Sequence, residues 1–93
     1  MKMSDMAVTS SDVVARNVGG EMVLLNLAGG TYYGLNPVGG RIWQFLESES
    51  RTLADIHDML LAEYDVSAQD AEKDLIAILA DLQSNELLEL VSA

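Results

Sequence analysis

The spacing of hydrophobic and polar positions changes period part-way along the chain. From Val13 to Leu35 the apolar residues fall in short runs: Val13 to Val18, Glu21 to Leu27, and Thr31 to Leu35, separated by Gly19-Gly20 and Gly29-Gly30. Short β-prone runs broken by glycine turns predict a three-stranded antiparallel meander. The middle run is apolar at nearly every position, so it needs cover on both faces, or a place between two strands and under a helix. The third run puts Thr31, Tyr33 and Leu35 on one face, expected to meet the core, and Tyr32 with Gly34 on the other. If strands pair in chain order, this third strand lies at a sheet edge with unpaired N–H and C=O groups.

Beyond Leu35 the period becomes 3.6. Asn36 can cap a helix and Pro37 suits its first position, which predicts a first helix running to about Leu46. Val38, Ile42, Phe45 and Leu46 share its apolar stripe, with Trp43 beside it, and Gly39 and Gly40 permit close backbone approach. Trp43 is expected in the core, where Trp→Ala typically costs ~3–5 kcal/mol. After a polar linker, Thr52 with Asp55 resembles a capping box before a second helix, Leu53 to Tyr64, with Leu53, Ile56, Leu60, Leu61 and Tyr64 on one face. Ser67 with Asp70 opens a third helix to about Asn85, whose stripe is Ala71, Leu75, Ile78, Leu79 and Leu82. Leu87 to Val91 reads as a short extended tail covering the end of the core. Met1 to Ser11 lacks periodicity and reads as a disordered arm, so the expected organisation is an arm over residues 1–11 and one domain over 12–93.

The expected fold class is therefore α+β, a three-stranded antiparallel meander followed by three α-helices, which resembles a winged helix. In that architecture a helix of the helix-turn-helix enters the DNA major groove. Here the corresponding helix carries Asp70, Glu72, Asp74 and Asp81 against Lys73 alone.

Composition narrows the function. The 93 residues include 15 Asp and Glu against 5 Lys and Arg, a net charge of -10 that repels phosphate backbones and anionic membrane surfaces. Neither a nucleic-acid nor a membrane partner is expected. The acidity serves solubility or a basic partner. Cysteine is absent, which removes disulfides, thiolate metal sites and cysteine nucleophiles. The N-terminus has no apolar core of a signal peptide, and a cytoplasmic address follows by default. The single histidine, His57, has no Ser or Cys at a spacing that makes a nucleophile and base pair, and reads as a helix-surface residue. Asp55 with Asp58 and Asp70 with Asp74 have the spacing of paired carboxylates, but such pairs decorate most acidic helices. The glycine pairs lack the GxGxxG and GxxxxGK[ST] phosphate-binding patterns. No cofactor or metal is expected. What remains is the edge strand beside the third helix: either an ordinary covered edge, or a site where an extended peptide adds a strand.

Two segments carry a resemblance. GGEMVLLNLAGGTYYGLNPVGGRIWQFLES is similar to the PqqD family, whose pattern runs from an apolar strand through a T/G-x-Y-Y/F-x-L-N segment and small residues to Ile-Trp. TLADIHDMLLAEYDVSAQDAEKDLIAILADLQSNELLEL resembles its helical half, here with Asp74-Leu75 before the L-x-x-L pattern. The resemblance extends from Val13 to Val91. It implies a non-enzymatic module that binds the leader of a ribosomally made precursor peptide and presents it to a modifying enzyme. Founding members act in pyrroloquinoline quinone biosynthesis with a radical S-adenosylmethionine enzyme, and relatives serve lasso-peptide leader peptidases. The founding subgroup tends to a polar, arginine-bearing third strand, whereas TYYGLN stands closer to the broader set of relatives that includes the lasso-peptide ones, which leaves a PQQ-type and a lasso-type pathway both open. The resemblance also implies that the leader pairs with the third strand and lies toward the third helix.

On these grounds the peptide is expected to meet Thr31, Tyr32, Tyr33, Gly34 and Leu35 on the strand, and Asp74, Leu75, Ile78 and Asp81 on one flank of the third helix. An apolar floor beside two carboxylates suits a leader with apolar anchors and a Lys or Arg. The chain is expected to be a monomer or weak homodimer. The alternatives are an oligomerisation domain using the same edge, or a small cofactor-binding accessory protein.

Overall fold

In the computed structural model, which describes residues 1–92, the fold is α+β. Strands β1 (Met6–Thr9), β2 (Val13–Val18), β3 (Glu21–Asn26) and β4 (Thr31–Leu35) precede helix α1 (Pro37–Ser48). A two-residue strand β5 (Arg51–Thr52) leads into α2 (Leu53–Glu63), then α3 (Ala68–Ser84), and β6 (Leu88–Val91) ends the fold. The meander forms one antiparallel sheet in the order β2-β3-β4, and a second small sheet has the order β5-β1-β6.

Both turns of the meander follow their glycines. Gly19 and Gly20 have φ of 60° and 88°, the pair of positive values a two-residue hairpin turn requires. The β3–β4 loop closes through Gly30 N–H to the Asn26 carbonyl at 2.7 Å, with Gly30 at φ 70°. The buried Asn26 side chain supports it by accepting from Ala28 N–H at 3.0 Å.

Asn36 caps α1 by accepting from Gly39 N–H at 2.7 Å. The helix lies close on the sheet because Gly40 has no Cβ: one placed there would stand 3.3 Å from Met22 Cβ. Trp43 is buried beneath the sheet with Leu24, Ile42 and Leu46, where the sequence expects it. Thr52 and Asp55 form the capping box of α2. Arg41 ties α1 to α2 through a two-pronged bond to Glu63, both contacts 2.8 Å; that bond raises the Arg41 pKa and lowers that of Glu63. Leu53, Ile56 and Leu60 of α2 meet Ala71, Leu75, Leu79 and Leu82 of α3 in the same core.

The expected disordered arm is corrected by the structure. Met6–Thr9 form a central strand, pairing antiparallel with β6 from Met6↔Val91 to Thr9↔Leu88 and with β5 at Met6↔Thr52 and Ala7↔Arg51. Ala7 is fully buried. MAVT is too short to show alternation, and its partners lie more than forty residues away, so its order is set by pairing that local sequence does not reveal. The stretch expected as a polar linker supplies β5, and the expected tail supplies β6.

Candidate functional site

The backbone of β3 decides which side of β4 is free. Val18 and Glu21 flank a two-residue turn and so exchange hydrogen bonds, which aims the backbone groups of Glu21, Val23 and Leu25 at β2. The next odd residue agrees, since Leu27 N–H donates to the Asp12 carbonyl at 2.8 Å. Met22, Leu24 and Asn26 therefore point toward β4, where they face Leu35, Tyr33 and Thr31. These three residues of β4 use their backbone groups inside the sheet. Tyr32 and Gly34 turn their N–H and C=O groups to the open edge.

Beside this edge runs a groove floored by α3. Two adjoining hollows, of about 330 and 320 Å3, share Asn36, Ala77 and Ile78. The first is closed by Tyr33, Gly34, Leu35, Gly39 and Asp81, and the second by Val38 and Asp74. Tyr33 spans the groove: its hydroxyl donates to the Asp81 carboxylate. That bond, with burial and the Asp81 charge adding to it, pushes the Tyr33 phenol up from 10.0 to about 12.

The expected site residues separate into distinct places. Tyr33, Gly34, Leu35, Asp74, Ile78 and Asp81 come together on the groove. Leu75 does not: it is fully buried in the core beneath the helix. It marks the centre of the apolar stripe, and the centre of a stripe faces inward. Tyr32 carries its side chain to the opposite face of the sheet, where it is 75% exposed, so only its backbone reaches the edge. Thr31 is exposed beside the β3–β4 loop, with its backbone turned toward β3. Ala77 lines both hollows although the expected flank of the third helix omitted it. At 100° per residue it lies 40° from Asp81 on the same flank, and that proximity was the available signal.

His57 holds a structural position, its Nε2 donating to the Ala68 carbonyl at 2.8 Å and joining α2 to the start of α3. Among the described residues there is no group of three or more His, Asp or Glu side chains placed to hold a metal ion, and no helix is long and apolar enough to cross a membrane.

With β2 and β4 both at edges of the meander and the groove along α3 beside β4, the three helices back a winged-helix-like scaffold that leaves β4 unpaired on its outer side. The profile of coenzyme PQQ synthesis protein D (PqqD) matches residues 21–88, and the chain belongs to that family. Two solved structures share the fold. TbiB1, in complex with the TbiA(beta) leader peptide, is 43% identical with a TM-score of 0.81, over 88% of this chain and 94% of that one. A lasso peptide synthetase B1 complexed with the leader peptide is 28% identical with a TM-score of 0.77, over 89% of this chain and 96% of that one. No curated protein matches.

Proposed function

We propose that this chain is a non-catalytic module that binds the leader of a ribosomally made precursor peptide as an added strand on β4 and presents it to a lasso-type leader peptidase. The observation that carries this reading is the open edge itself: the N–H and C=O groups of Tyr32 and Gly34 stand unpaired beside a groove of apolar floor and acidic rim. The two leader-peptide complexes among similar structures support it. Backbone pairing sets the register at ~0.5–1.5 kcal/mol per bond but reads no sequence. Selectivity then belongs to the groove: Leu35, Ala77 and Ile78 take an apolar side chain, while Asp74 and Asp81 favour a cationic one nearby. Leu75 supports the floor from below. On this reading the chain acts where its precursor is made, in the cytoplasm.

Isothermal titration calorimetry of the full chain against the leader of its cognate precursor is expected to give one peptide per chain. Absence of binding, together with a stable dimer joined through β4, would favour the oligomerisation reading instead.

A further inference from the structure

The β2-β3-β4 sheet has a second face that the peptide site does not use. Its inner side, with Met22, Leu24 and Leu35, lies on the core. Its outer side holds the cross-strand row Val14, Leu25 and Tyr32, and next to it the row Arg16, Val23 and Gly34. Val18 stands at one end and Leu27 at the other. Val14, Val18, Leu27 and Tyr32 are exposed around Val23 and Leu25 of β3, which are themselves half-buried. A contiguous apolar sheet face of this kind is an interaction surface.

We infer that this outer face is the docking surface for the protein that acts on the bound peptide, and that this partner meets Arg16 with a carboxylate. The inference rests on the peptide reading above. Two observations select the occupant. The face is continuous with the open edge through Tyr32, whose side chain lies on the face while its backbone groups line the edge, so a protein seated there also reaches a strand added to β4. Arg16 is exposed in the middle of the apolar rows, and it is absent from the two ion pairs found among the described residues. Glu21, opposite Val18, shares the face one row from Arg16 with no ion pair between them among the described residues, so Arg16 offers a free cation beside apolar side chains, complementary to an apolar patch carrying an acid. A second copy of this chain fits poorly, because two molecules of net charge -10 repel.

The test measures the affinity of the purified leader peptidase of the same precursor for the full chain, free and saturated with leader, by biolayer interferometry. Arg16→Glu and Val14→Lys are each expected to weaken peptidase binding at least tenfold, with unchanged melting temperature and unchanged leader affinity by calorimetry. Peptidase binding that is absent in the wild type, or unaltered in both variants, overturns the inference. So does a concentration-dependent dimer that the same variants dissociate, which assigns the face to a second copy. If leader binding fails while the variants still lose the peptidase, the peptide reading falls and the docking face stands.

Discussion

Tyr33 and Asp81 join the strand and the helix that form the groove, and the pH behaviour of this bond can be worked out. In the unfolded chain the phenol ionises near 10, and in the folded one it is pushed up to about 12. Between those values the folded state keeps a proton that the unfolded state has released. The contribution is therefore complete below pH 10 and is lost as pH rises toward 12. Tyr33→Phe should remove that share of the alkaline decline, so the difference in melting temperature between wild type and variant should narrow from pH 9 to about pH 12. Parallel curves would show that the bond does not form in solution. At the other end of α3, Glu86 takes φ 60° and Leu87 N–H reaches back to the Leu82 carbonyl at 3.0 Å, a left-handed helix terminus. Glycine adopts that conformation without the penalty of a Cβ, so Glu86→Gly is expected to stabilise the fold by up to ~1 kcal/mol, read from chemical denaturation midpoints at unchanged m-value.

At the scale of elements, the orientation of β4 yields a sharper test than its exposure. Proline lacks an N–H, and sheets accept it on an edge strand where that group faces outward. Gly34→Pro should therefore keep a cooperative melt while weakening leader binding by tenfold or more. Tyr33→Pro should break the ladder to Leu24 and destabilise the sheet itself. Equal effects of the two substitutions on folding would mean that the edge assignment is reversed. The elements that sequence reveals are those with local signals: β2, β3 and β4 through their glycine turns, and the three helices through caps and a 3.6 period. The candidate groove was legible to the same extent, since period 2 on β4 and period 3.6 on α3 bring Tyr33, Ile78 and Asp81 together. Leu75 and Ala77 escaped correct placement because periodicity gives an angle and not a depth. The outward aim of the Tyr32 and Gly34 backbone depends on the neighbouring hairpin, which no pattern within β4 contains.

The whole molecule is closed by its first strand. β1 lies between β5 and β6, so it joins the start of α2 to the end of the described chain through backbone bonds on both edges. The segment around it adds further bonds: Leu53 N–H donates to the Asp5 carbonyl at 3.0 Å, Ala54 N–H to Met3 at 2.9 Å, and Ser10 N–H to Leu87 at 3.0 Å. Without β1, the strands β5 and β6 have no partner in their sheet, and the buried side chains of Leu53, Leu87 and Leu88 lose the cover that Ala7 and its neighbours give. At ~0.5–1.5 kcal/mol for each backbone bond, the loss approaches the 5–15 kcal/mol that holds a typical domain together. Deletion of residues 1–10 is therefore expected to abolish the cooperative thermal transition, followed by circular dichroism, even though the meander, the groove and every residue assigned to the peptide remain in the chain. A truncated protein that melts within a few degrees of the full chain would show that β1 is an accessory strand and that the fold closes without it.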